Sequence, residues 1–187
     1  MQDNWSEDKK TLFEILKKDA FFKGEFTLSS GKKSSYYLDC RRVTLTGEGA
    51  YYTAKVFLDM VKDKTFDAIG GPTLGADPVV GALGAVSVAD GSPVRMFIIR
   101  KESKGHGRGR MIEGPELPDG AEVILIDDVA TTGKAFIYSL DVLDQEGLTA
   151  KTCLCIVDRQ EGAQEAVKAR GCELLSIFTA EDFLKDF

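Results

Sequence analysis

With 187 residues and 43% hydrophobic content, the chain is long enough for one α/β domain with a real core and too short for a second catalytic domain. A net charge of −6 and a pI near 4.9 argue against a general nucleic-acid binder, whose affinity would rest on a basic face. No apolar run is long enough to span a bilayer, and the first ten residues are polar and charged rather than signal-like, so the expected location is cytoplasmic.

Residues 6–18 carry Leu12, Ile15 and Leu16 at helical spacing, an amphipathic first helix. Residues 26–28 and 35–40 read as two short strands around a polar turn, and Thr46 then caps a helix running to about Lys62. Beyond this point strands and helices alternate. Residues 66–69 are a strand, 71–78 a Gly/Pro-bearing loop, 79–88 a small-residue helix and 94–100 a second strand. A long polar loop over 101–120 precedes a strand at 123–126 and a helix that Gly147 stops. Strand 152–157, helix 163–169 and strand 173–178 follow. The alternation predicts a parallel sheet with helices on both faces and ligands at the C-terminal ends of its strands. Cys153 and Cys155 lie two apart in a strand and share one face, which predicts core residues. With one histidine and no C-x-x-C pair, a structural zinc site is not expected.

The run VILIDDVATTGKA, residues 123–135, holds the densest chemistry. Four apolar residues form a strand expected to end at Asp127 and Asp128; Thr131, Thr132 and Gly133 make a small donor-rich loop, and Phe136, Leu140 and Leu143 open a helix. A phosphate dianion fits there, because amides at a helix N-terminus are unpaired and point outward, the helix dipole favours negative charge, and two hydroxyls add donors. The carboxylates would repel that phosphate. They are suited instead to accept hydrogen bonds from sugar hydroxyls or to meet a hydrated cation one step away. An acid pair alone could merely end a strand, and Thr-Thr-Gly alone could be a turn. The ordered combination of strand, acid pair, Thr-Thr-Gly and helix resembles the signature of the type I phosphoribosyltransferases, which bind phosphoribosyl pyrophosphate (PRPP).

Residues 100–110 hold five cations, Arg100, Lys101, Lys104, Arg108 and Arg110, against one acid, Glu102, together with the chain's single histidine, His106. Glycines at 105, 107 and 109 make the segment pliable. A cationic loop leaving the same sheet edge as the phosphate cradle is suited to close on a diphosphate and neutralise the charge that develops there; a solvated surface loop is the plainer reading of such a charge run. The glycines do not have dinucleotide-fingerprint spacing, and no Walker A sequence occurs.

Across nearly its whole length the chain resembles the orotate phosphoribosyltransferases. RKESKGHG (residues 100–107) is similar to that family's catalytic loop, which implies that Arg100, Lys101, Lys104 and His106 contact the diphosphate of PRPP, with Lys104 the main catalytic lysine. In the family this loop reaches a neighbouring subunit, implying a homodimer with shared sites. FTLSSGKKSSYYLDCR (26–41) resembles the segment covering the orotate ring and puts Tyr36 and Tyr37 beside the base; in a strand these two point to opposite sides, so one stacks while the other packs or hydrogen-bonds. VDRQEG (157–162) resembles the segment whose arginine, here Arg159, contacts orotate along with Thr131, and GPTLGADP (71–78) resembles the pyrophosphate loop. A guanidinium grips a carboxylate through two parallel hydrogen bonds, and a carboxylate is what separates orotate from uracil.

The resemblance implies a type I phosphoribosyltransferase-like central parallel sheet flanked by helices. Residues 1–45 would be an N-terminal α+β hood, 46–178 the α/β core and 179–187 a C-terminal helix. It implies transfer of a 5-phosphoribosyl group from PRPP to orotate, giving orotidine 5′-monophosphate (OMP) and pyrophosphate in pyrimidine biosynthesis. Magnesium would ride mainly on PRPP and water with no direct protein ligand. Asp127 and Asp128 would fix the ribose, and Val129, Ala130, Thr131, Thr132, Gly133, Lys134 and Ala135 would seat the 5′-phosphate. Expected partners are PRPP, orotate and a second copy of the chain, with no nucleic acid and no membrane. Many family members carry a lysine where this chain has Ser29 and a Tyr-Lys pair where it has Leu74 and Gly75, so backbone, Lys32, Lys33 or water must take over those contacts. Two alternatives stay open: a phosphoribosyltransferase for another base such as a purine, and a PRPP-sensing regulator that binds nucleic acid through Arg108 and Arg110.

Overall fold

The computed structural model describes residues 4–27, 33–102 and 110–185. Helix α1 (Glu7–Asp19) is capped by the Ser6 hydroxyl, which accepts from the Lys9 amide, and buries Leu12, Phe13 and Leu16. Strands β1 (Phe21–Thr27) and β2 (Lys33–Leu38) pair antiparallel as a separate two-stranded sheet. A single-turn helix α2 (Arg41–Thr44) leads into α3 (Gly47–Val61), whose N-cap is Thr46 as the sequence predicts. Then come β3 (Ala68–Pro72), α4 (Asp77–Ala89), β4 (Met96–Ile99), β5 (Ile112–Glu113), β6 (Glu122–Ala130), α5 (Lys134–Gln145), β7 (Thr149–Asp158), α6 (Ala163–Ala169), β8 (Glu173–Thr179) and α7 (Ala180–Leu184).

The main sheet has the order β5-β4-β3-β6-β7-β8, parallel except at β5, which runs antiparallel to β4. Alternation along the inner strands divides the core in two. Ile124, Ile126, Leu154 and Ile156 face a layer built from α1, α3, α4 and the hairpin, while Val123, Leu125, Cys153 and Cys155 face α5 and α6. Both cysteines are fully buried, as their spacing predicts.

Four expectations are corrected. The strand carrying the acid pair does not end at Asp127 but continues through Asp128 to Ala130, because its neighbour β7 keeps pairing with it as far as Ala130 and Asp158. The segment 101–120 is not all loop. Ile112 and Glu113 pair antiparallel with Ile99 and Ile98 as β5; two residues are too few to show a period of two. Finally, β1 begins at Phe21, five residues before the expected strand, and α4 begins at Asp77 inside the expected loop.

Candidate active site

The C-terminal ends of β3, β6 and β7 and the strand β2 enclose an open cleft of about 1040 Å³. Adjacent residues of a strand point to opposite faces, so the acid pair straddles its rim. Asp127, 9% exposed, lies on the α5 side, where Lys101 is among the charges acting on it; Asp128 lies on the α2 side, with Arg41 Nε 3.9 Å from its Oδ2. Each carboxylate also accepts from the amide that follows it, Asp128 N at 2.9 Å and Val129 N at 2.8 Å. Burial, and then the Asp128 charge, push the Asp127 carboxyl up to about 8, and burial raises Asp128 as well.

Gly75 presses the 71–78 loop against this pair. A Cβ there would collide with Asp127 Oδ1 and stand 2.7 Å from Asp128 Oδ1, so the loop approaches as bare backbone.

Beyond Ala130 the chain turns through Thr131 and Thr132 to Gly133, which adopts φ 79° and starts α5 without a side-chain cap. The first intrahelical bond runs from Ile137 N to Gly133 O at 2.9 Å, leaving the amides of Lys134, Ala135 and Phe136 outside the helical ladder. Thr131, Thr132, Lys134 and Ala135 line the cleft, where open helix-start amides and two hydroxyls suit an anion.

On the β7 side, Ala130 O accepts from the Arg159 amide at 2.8 Å and fixes the root of that residue. The Arg159 side chain is 8% exposed, donates through Nε to Glu161 Oε1 at 2.9 Å and lies 4.7 Å from the centre of the Tyr36 ring. Tyr36 is buried and stacked on Phe21, so it supports Arg159 from the core side; Tyr37 is 38% exposed and lines the cleft. The opposite orientation of the two tyrosines follows from their adjacency in β2.

The start of the basic segment is tied to α5. Tyr138 donates its hydroxyl to Arg100 O at 2.6 Å, with Lys101 O at 3.2 Å, and Arg100 N donates to Met111 O at 2.8 Å.

Of the expected site residues, Lys101, Asp127, Asp128, Val129, Thr131, Thr132, Lys134, Ala135, Tyr37 and Arg159 share this one cleft. Tyr36, Ala130 and Gly133 support it from behind. Arg100 turns its guanidinium away, Nη1 to Glu113 Oε1 at 3.2 Å and Nε to Glu102 O at 3.1 Å. Lys104, His106 and Lys32 lie outside the described residues, and Lys33, at the start of β2, is exposed and not part of the lining. Arg41, Tyr138 and Glu161 were not singled out by sequence reasoning. No local pattern marks Tyr138 or Glu161, whereas Arg41 closes the hood motif and could have been found there. Among the described residues no cluster of three potential metal ligands exists, and no helix is long and apolar enough to cross a membrane.

An acid pair, the open amides of a helix start and Lys101 thus meet in one cleft at the C-terminal edge of the sheet, an arrangement suited to a phosphorylated sugar. Residues 50–182 match the phosphoribosyl transferase domain model. The chain is 41% identical to an orotate phosphoribosyltransferase of Thermosynechococcus vestitus, over 97% of this chain and 96% of that one. The crystal structure of the Mycobacterium tuberculosis orotate phosphoribosyltransferase in complex with PRPP superposes with a TM-score of 0.79 at 31% identity, covering 94% of this chain and 98% of that one. An adenine phosphoribosyltransferase from Thermoanaerobacter pseudethanolicus, at 16% identity and TM-score 0.63 over 89% of this chain and 99% of that one, shares the fold. The chain belongs to the phosphoribosyltransferases and, within them, to the orotate phosphoribosyltransferases.

Proposed function

We propose that this protein transfers the 5-phosphoribosyl group of PRPP to orotate, giving OMP and pyrophosphate, a step of pyrimidine nucleotide synthesis. The observation that carries this reading is the meeting of four unlike groups in one cleft: the acid pair, the open amides of α5, Lys101, and Arg159 backed by the buried Tyr36 ring.

In this reading the α5 amides and the Thr131 and Thr132 hydroxyls hold the 5′-phosphate. Asp127 and Asp128 accept from the ribose hydroxyls and hold the sugar while positive charge builds at its reacting carbon. Lys101, with Lys104 and His106, meets the departing diphosphate, and Arg100 joins them by exchanging Glu113 for it. Arg159, aimed by Glu161 and Tyr36, reads the carboxylate of orotate, and Tyr37 lies against the ring. Magnesium, arriving with PRPP, supplies neutralising charge to the diphosphate. The carboxylate pair, with Asp127 buried and Asp128 partly exposed, fits such a cation at one remove rather than as a cage. We further propose a cytoplasmic homodimer that shares its sites through the basic segment, with residues 1–45 as a hood over the base, 46–178 as the core and 179–187 as a closing helix.

The test is direct. Purified protein mixed with PRPP, magnesium and orotate should consume orotate absorbance and release pyrophosphate in equal amounts. Hypoxanthine turnover in place of orotate would transfer the reading to a purine enzyme.

A further inference from the structure

Among the described residues, four cations line the cleft: Arg41, Lys101, Lys134 and Arg159. Lys134 heads α5, Lys101 roots the basic segment, and Arg159 is committed to Glu161 and Tyr36. Arg41 has no part in the reaction so far, yet it is held for one.

Asp39 Oδ1 accepts from the Arg41 backbone amide at 3.2 Å and from its Nε at 3.1 Å, a two-point hold that sets the direction of the side chain. Nε also stands 3.9 Å from Asp128 Oδ2. The two terminal nitrogens make no hydrogen bond among the described residues, and the side chain is 47% exposed. A guanidinium gripped at Nε presents its Nη pair as a fork, the geometry that takes two oxygens of one phosphate group.

The position of this fork names its ligand. Arg41 lines the cleft and also the neighbouring hollow beside Leu74 and Asp77, so it stands on the 71–78 side and not on the Arg159 side. That loop brings no cation of its own. Leu74 is apolar, and Gly75, whose backbone lies against the acid pair, has no side chain. An anionic group lying along this loop faces two carboxylates, and Arg41 is the cation placed to offset them.

We propose that Arg41 is a diphosphate-binding residue of the cleft and Asp39 its positioning residue. The assignment rests on the cleft being a PRPP site, and deepens that reading by naming the group that takes over the charge absent from Leu74 and Gly75.

The experiment is calorimetric titration of magnesium pyrophosphate, and separately of OMP, into the full-length wild type and its variants. OMP carries the ribose phosphate and the base but no diphosphate. Arg41→Ala should weaken pyrophosphate at least tenfold and raise KM for PRPP by a similar factor, with OMP affinity kept within twofold. Arg41→Lys, which keeps the charge without the fork, should recover part of the loss and guards against a folding defect in the alanine variant. Asp39→Asn should raise KM for PRPP with kcat changed less than twofold, and Asp39→Glu should restore part of that KM. Unchanged pyrophosphate affinity in Arg41→Ala overturns the proposal, as does an equal loss of OMP, which would make Arg41 a reader of the base or a structural residue. A wild type that binds neither compound overturns the PRPP reading and the assignment with it; a wild type that binds both while Arg41→Ala is silent overturns the assignment alone.

Discussion

Two residues next to each other in β6 show how position alone makes unlike chemistry from like side chains. Asp127 and Asp128 leave opposite faces of one strand, so one meets the α5 side and Lys101 while the other meets Arg41. Because burial raises the Asp127 carboxyl to about 8, the folded protein keeps a proton that the unfolded chain loses near its ordinary value of 3.8. Its contribution to stability is therefore full below about pH 4 and is lost as pH rises through 8. Asp127→Asn removes that penalty. Melting temperatures of the two proteins across this range should diverge in favour of the asparagine variant as pH rises; parallel curves would mean that the carboxyl is already ionised. At the other end of the cleft, Arg159→Ala should cost orotate about 2–5 kcal/mol of binding, since it strips a buried bidentate partner from a carboxylate. Comparable losses for uracil, measured as kcat/KM, would remove Arg159 as the reader of that group.

At the scale of the element, the strand-turn-helix unit of β6 and α5 was readable in outline, because an apolar run, a Gly turn and a helical period each leave a local trace. Its details were not. The strand continues past the acids because β7 pairs with it, a fact of the neighbouring strand and not of the segment itself. Likewise β5 exists only because β4 offers it an edge, and the Tyr138 tether between the start of the basic segment and α5 joins residues 38 positions apart. Gly133 shows how tightly the turn is made. Its φ of 79° and the 3.0 Å approach of a Cβ to Ala166 predict that Gly133→Ala costs about 1–3 kcal/mol of stability and displaces the α5 amides. Denaturant unfolding, read beside OMP affinity, checks both. Tyr138→Phe should leave the fold intact but loosen the root of the basic segment, raising KM for PRPP several-fold; an unaltered KM would show that the Arg100 amide bond to Met111 holds that root by itself.

For the whole molecule, the alternation of strands and helices gives the doubly covered sheet, and the rule that ligands sit at the C-terminal edges of its strands places the cleft correctly. At the diphosphate end the proposed function calls on Lys104 and on a second subunit. Lys104→Ala should reduce kcat by an amount equivalent to about 2–4 kcal/mol in barrier. If the sites are shared across a twofold dimer, unfolding and refolding Lys104→Ala together with an inactive Asp127, Asp128 double variant should return about a quarter of wild-type activity, since half of the dimers then hold one intact site. Recovery no greater than the sum of the separate variants would confine each site to one chain.

The central claim is that one cleft seats a ribose phosphate on the open amides of α5, between the acid pair and Arg159. Amide hydrogen exchange with and without saturating OMP measures it most directly. The account predicts slowed exchange concentrated in residues 127–136 and around Arg159, with little change along the opposite edge of the sheet. Saturating binding that leaves 127–136 unprotected and slows exchange elsewhere would contradict it.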